Sequence, residues 1–450
     1  MDLKQFKEKV FEKAAQEGFK EYEIYFSKSN ALSLEIYEKE VDKYSVNGSM
    51  GVSFRGIYND KMGYSYTEIL DADSVEMLVL KAKENALCIE NEDLEVIFGE
   101  KQDYAILKSY NEELENIGTD KKIKFALDLE KDSFESNKKV VNIGDCVLEE
   151  SIIEYGIMNS KGLDLYHRTN FIIGLVIPVI DENGTKYNGI SFKISNNFSD
   201  FNAKAMAEEA VNDALSRIGG KSIKSGNYKV IIDNRTMALL LGTFSGAFSS
   251  DNAQKGLSLL KNKEGQFIAS SKVTIVDDPH MNSGVYSTPF DAEGVATFKK
   301  NIVEEGKLNT LLYNIKTALK EGRKSTGNAF KASYSAPVMI SPTNFYIQAG
   351  EKAMEELLKE VKEGLIITEL AGTHAGANAV TGDFSLAAKG FLIKDGKKAE
   401  PVEQITIAGN FFKLLQDIEE VGNDLDFYFP MEAYFGSPSV IVSSLSVAGE

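Results

Sequence analysis

Residues Val140 to Ile194 constrain this chain more than any other stretch. Strand-forming residues fill the segment. Two turns cut it, at Asn159-Ser160-Lys161-Gly162 and Asp181-Glu182-Asn183-Gly184. Asn-Gly is the strongest short hairpin signal, because both central residues of the turn need positive φ. The segment therefore reads as antiparallel sheet. Two further strands precede it, Tyr22–Phe26 and the alternation of Leu32, Leu34 and Ile36 with Ser33 and Glu35. Gly51–Tyr58 and Met62–Tyr66 flank Asn59-Asp60-Lys61, which predicts another hairpin with a short loop.

Helices are interleaved with these strands. Leu3, Phe6, Val10 and Ala14 share one helical face, with Asp2 as N-cap. A second helix is expected over Asp73–Ile89, capped by Asp73 or Ser74, with Val75, Leu78, Val79 and Ala82 on its apolar face. Others are expected over about Asp120–Phe134 and Phe201–Ile218. Residues 90–120 are polar and weakly periodic, a connector and a possible sub-boundary. The small, polar run Gly219-Gly220-Lys221-Ser222-Ile223-Lys224-Ser225-Gly226 is the best domain boundary. The expected fold is two-domain α+β. Residues 1–220 form a helix-plus-antiparallel-sheet domain and residues 226–450 a strand-rich one. The second domain opens with a strand at Tyr228–Asp233, followed by a helix at about Thr236–Phe248. One clear helix follows at Ala353–Glu363.

Composition narrows the function. Lys plus Arg number 50 and Asp plus Glu 68, a net charge of −18, which argues against gripping nucleic acid. Two cysteines, Cys88 and Cys146, make no disulfide framework and fit a reducing cytoplasm. The longest apolar run, Phe171–Ile180, is about half the roughly 20 residues of a membrane-spanning helix, so no membrane role is expected.

Motif tests mostly fail. Gly220-Lys221-Ser222 ends like a phosphate loop, but Leu215 stands where that loop needs glycine and a strand follows. No Gly-x-Ser-x-Gly elbow occurs, and Gly242-Thr243-Phe244-Ser245-Gly246 reads as a helix with closely packed small residues. His167 reads as a half-exposed strand residue. His280 with Asp277, Asp278, Asp291 and Glu293 is the densest His-plus-carboxylate neighbourhood, a candidate cation or zinc site. An independent metal-dependent hydrolase built on it is one alternative function. Gly372, His374, Gly376 and Asn378 lie in a glycine-rich run suited to close backbone contact with a ligand, or to a tight turn. A zinc peptidase helix needs two histidines about one turn apart, whereas the nearest pair here is His280 and His374.

An ordered set of segments in the second half resembles the TldD/PmbA family, and most closely its PmbA branch, also called TldE. They are Val273-Thr274-Ile275-Val276-Asp277-Asp278, Ser287-Thr288-Pro289-Phe290-Asp291-Ala292-Glu293-Gly294-Val295, Lys324-Ser325-Thr326-Gly327, Val380-Thr381-Gly382-Asp383-Phe384-Ser385, Ile405-Thr406-Ile407-Ala408-Gly409-Asn410 and Gly436-Ser437-Pro438-Ser439, with Leu445-Ser446-Val447-Ala448-Gly449 near the C-terminus. The N-terminal half fits more loosely. The resemblance implies a two-domain subunit of a cytoplasmic metalloprotease acting on unfolded or flexible peptides. In that family the TldD branch carries a His-Glu-x-x-x-His helix completed by a late Cys. The PmbA branch lacks the metal and pairs with TldD, so zinc is expected in the partner and not here. Whether the chain forms a homodimer when the partner is absent stays open at the level of sequence. The older name, modulator of DNA gyrase, gives a regulatory protein-binding factor as a further alternative. Aligning the helix places Gly242 and Ala247 at the histidine positions and Thr243 at the glutamate, and no Cys follows Cys146. No catalytic residue is therefore assigned to this chain.

Overall fold

The computed structural model describes residues 1–90, 93–282 and 284–450. The chain opens with α1 (Leu3–Gln16), whose N-terminus is held by the Asp2 carboxylate accepting from the Gln5 N–H. Next come β1 (Glu21–Tyr37), β2 (Glu40–Tyr58), β3 (Lys61–Thr67) and α2 (Ala72–Leu87). Asp71 caps α2, two residues before Asp73 and three before Ser74, the caps expected from the sequence, because its carboxylate reaches the Ser74 N–H at 2.8 Å. Among the described residues the connector holds one short helix, α3 (Glu112–Glu115), before α4 (Thr119–Ser136). Long strands β4 (Val140–Asn159) and β5 (Asp164–Glu182) follow, then β6 (Thr185–Asn188), β7 (Ser191–Ser195) and α5 (Ala203–Ser216).

The strands β1 to β7 make one sheet in the order β3-β2-β1-β4-β5-β6, with β7 also on β5. Strand alternation sorts its two faces. Ile24, Phe26, Val52, Phe54 and Met158 point to α1 and α2. Leu32, Leu34, Ile36, Cys146, Leu148, Ile172 and Val176 point the same way, to α4 and α5. Tyr25 and Ile157 point to the opposite face, where they meet Phe290, Ala292 and Ala329 of the second half. The sheet is thus covered by helices on one side and by the C-terminal half on the other.

The outer edge of β2 is partly open. β3 pairs with it from Val52 to Tyr58. Among the described residues, Glu40 to Gly51 have no strand neighbour on that side. Val46 is 63% exposed and Tyr44 52%.

The second half contains two six-stranded sheets around one large core. β8 (Gly226–Ile232) is central in the first, between Gly364–Ala371 and Val440–Ala448. The helix after it, α6 (Asn234–Thr243), is shorter than expected and passes into a 3₁₀ turn at Ser245–Phe248. Gly242 and Gly246 fall at that break, where glycine weakens a regular helix. Among the described residues no helix is long and apolar enough to cross a membrane.

Candidate functional site

The candidate metal cluster does not assemble. Asp277 is fully buried and spends its carboxylate on Lys300 Nζ (2.9 Å), Asn328 Nδ2 (2.8 Å) and the N–H and hydroxyl of Thr343 (both 2.7 Å). Asp278 pairs with Lys299 at 2.9 Å and accepts from the His280 N–H at 3.1 Å. Asp291 accepts three backbone N–H groups, from Glu293, Val295 and Ala329. Burial and the nearby Glu293 hold its carboxyl well above the usual range. Glu293 takes Arg55 at 3.4 Å and the Ile315 N–H at 2.8 Å. His280 is within 3.1 Å of the Thr297 hydroxyl, and burial lowers its pKa. These are turn-building and ion-pairing roles on separate networks. Among the described residues no group of three or more His, Cys, Asp or Glu side chains is placed to hold a metal ion.

The aligned helix does not fit a metal either. A Cβ on Gly242 would lie 2.8 Å from Phe435 Cδ2 and 2.5 Å from Met431 Cε. Thr243 turns its hydroxyl back to the Leu239 carbonyl (2.8 Å), and Ala247 is 1% exposed. Phe244 stacks on Phe411 at 4.7 Å between centroids. Aromatic packing fills the space a ligand shell would need. Gly242→His is therefore expected to destabilise the fold by about 1–3 kcal/mol through overpacking. It is also expected to recruit no zinc. Melting curves with and without added zinc check this, and a zinc-dependent rise in midpoint would contradict it.

His167 was expected to be half-exposed, but it is buried, with Nε2 donating to the Ser287 carbonyl at 3.1 Å. Burial pushes its pKa down to about 4, so it stays neutral and ties β5 to the second half.

The glycine-rich run joins Gly364–Ala371 to Asp383–Lys394 at the end of a hairpin. Gly372 has φ +87° with open space beside it, and His374 and Asn378 are exposed. Asn378 Oδ1 accepts from the N–H groups of Val380 and Thr381, closing the loop on itself. Gly376 is packed instead, since a Cβ there would lie 2.3 Å from the Ser385 carbonyl oxygen. A bulky residue at Gly376 would disturb the hairpin itself, so it cannot report on peptide contact alone. None of the four lines the larger cavity.

That cavity, about 400 Å³, lies between the inner sheet face and three segments of the second half, and no local sequence motif marks it. Tyr25, Ile153, Tyr155 and Phe171 come from the sheet, and Val285, Phe290, Phe330 and Lys331 from the other side. Tyr155 donates to the Thr288 hydroxyl at 2.5 Å. Lys331 donates to Ser53 Oγ (2.8 Å) and Tyr64 OH (3.0 Å) and lies over the Tyr25 ring. Burial, with Arg55 nearby, pushes its pKa down to about 7.

Three family models match: PmbA/TldA metallopeptidase domain 1 at residues 22–86, the central domain at 112–218 and the C-terminal domain at 225–449. A Thermotoga maritima structure described as a modulator of a DNA gyrase superposes with a TM-score of 0.92 and is 33% identical, covering 99% of this chain and 100% of that one. TldE from Thermococcus kodakarensis gives a TM-score of 0.90 at 23% identity, over 99% and 100% of the two chains, a likeness of fold. The metalloprotease PmbA of Escherichia coli O157:H7 is 26% identical over 95% of this chain and 92% of its own.

Proposed function

The chain belongs to the PmbA/TldD metallopeptidase family, and on that premise we propose that it is the non-catalytic subunit of a TldD/TldE-type protease. The observation that carries the reading is α6 and the turn after it. Gly242, Thr243 and Ala247 supply no metal ligand, and Phe435 packs where one would project. In this reading a TldD-like partner holds the zinc. This chain helps to close a chamber that excludes water and orders a flexible peptide for attack. The reducing cytoplasm is the proposed compartment, in keeping with two unpaired cysteines.

The open edge of β2 supports a role in holding an extended chain. Its free N–H and C=O groups can pair with any peptide backbone, which suits a substrate of loose sequence. The loop carrying Gly372, His374, Gly376 and Asn378 is a second proposed peptide contact. The independent hydrolase reading has lost its main support, because its carboxylates are committed elsewhere.

The test is co-purification with a TldD-like chain from the same source, followed by peptidase assays of each chain and of the mixture. Activity in the partner-containing mixture that exceeds either chain alone is expected. Full activity from this chain by itself would overturn the proposal.

A further inference from the structure

Lys331 is buried without a counter-ion. It is 7% exposed, and among the described residues no carboxylate lies in ion-pair range of its Nζ. Two of its three N–H groups go to neutral oxygens, Ser53 Oγ and Tyr64 OH. Tyr64 is itself committed as a donor to the Tyr334 and Ala336 carbonyls. Among the described residues the third N–H meets only aromatic faces and the cavity, with Tyr25 at 4.8 Å and Tyr64 at 4.7 Å. A buried cation is ordinarily paired, since leaving it alone costs far more than pairing it.

The surroundings show what is missing. The charged groups around Lys331 are Arg55 on β2 and Glu23 on β1, and these two bond each other at 2.7 Å. Across the cavity, Lys28 is paired with Glu154 at 3.2 Å, and Asp291 is consumed by three backbone N–H groups. None of these supplies Lys331 with an anion. The rest of the lining is mainly apolar and aromatic, from Ile153, Tyr155, Phe171, Val285, Phe290 and Phe330. A volume of about 400 Å³ is that of a small-molecule site.

We infer that this cavity binds an apolar carboxylate, its hydrocarbon or aromatic part among the rings and its carboxylate on Lys331. A free aryl or alkyl acid and the C-terminal residue of a peptide share that chemistry. The inference does not rest on the subunit reading. Binding should carry a proton, because an incoming carboxylate favours the ammonium form of a lysine now held near neutrality.

Titration calorimetry of the full chain tests it, with 3-phenylpropionate against 3-phenylpropionamide, and Ala-Ala-Phe as free acid against its amide. Run at about pH 8 in buffers of different ionisation heat, the acids should bind with net proton uptake, up to about one per site. The amides should bind at least about tenfold more weakly, for want of the charge-assisted hydrogen bond. Whichever acid binds more tightly identifies the source. Lys331→Met should erase the preference for acid over amide while keeping the melting transition. Equal binding of acid and amide, a preference that survives in Lys331→Met, or no binding of any probe up to about 10 mM would overturn the inference. Should Lys331→Met fail to fold, the acid–amide contrast and the proton count in the unaltered protein still decide it.

Discussion

Replacing Arg55 with alanine should destabilise the protein by about 3–5 kcal/mol, the range for stranding buried charges. Arg55 joins Glu23 on the neighbouring strand at 2.7 Å and Glu293 of the second half at 3.4 Å. The side chains of the two acids are only 1% and 5% exposed, so neither finds water when the guanidinium goes. The loss also uncouples the sheet from Glu293, next to the cavity-lining residues Phe290 to Ala292. Burial already raises the Glu23 pKa, and Arg55 is the main force pulling it back. The pH dependence follows from that. A carboxyl whose folded pKa lies above its unfolded value contributes most below the unfolded pKa, near about 4.3, and loses that contribution as pH rises through the folded one. Without Arg55 the folded pKa climbs further, so the deficit of the variant should grow from about pH 5 to about pH 8. Urea unfolding at the two pH values measures it. A loss below about 1 kcal/mol at both would show that the triad is not what holds this junction. Arg55→Lys keeps the charge and loses the planar fork, and should fall between the two.

The second large effect belongs to Asp277→Ala, at about 3–5 kcal/mol for the same reason. The substitution leaves the Lys300 ammonium buried and unpaired, along with donors on Asn328 and Thr343. Burial alone would raise the Asp277 pKa. Lys300, Asn328 and the Thr343 N–H outweigh it and hold the carboxyl below its usual range. A depressed pKa contributes stability above the unfolded pKa, near about 3.9, and loses it as pH falls through the folded value. The variant should therefore lack part of the acid sensitivity of the parent. Adding Lys300→Met should restore much of the loss, since an apolar pair tolerates burial better than a lone cation. The double variant also separates structure from chemistry. In the proposed complex with a TldD-like chain it should leave peptidase activity unchanged, whereas a folded double variant that lowers that activity would give Asp277 a role beyond structure.

Much of the N-terminal architecture is legible in the sequence. The face Leu3, Phe6, Val10 and Ala14, the Asn59-Asp60 turn and the Asn159–Gly162 turn all read from local pattern. The turn between β1 and β2 does not. Glu38 and Lys39 take positive φ without a glycine or asparagine to announce it. The first eleven residues of β2 are also polar or scattered in pattern, because an exposed edge needs no buried alternation. The site is less legible still. Lys331 and Ser53 are 278 positions apart, and no spacing rule links them. The carboxylates near Asp277 and Asp291 are close in sequence but diverge in space. Each serves its own turn or ion pair, and proximity along the chain says nothing of where side chains point.

The close fit of Gly242 against Phe435 also bears on how such a chain can change over time. A histidine arriving there alone meets a ring and finds no companion at Thr243 or Ala247 and no cysteine beyond Cys146. Each single step toward a metal centre loses packing and gains no chemistry. Any route to a metal centre at this helix therefore runs through less stable single variants, and the packing around Gly242 works as a ratchet against it.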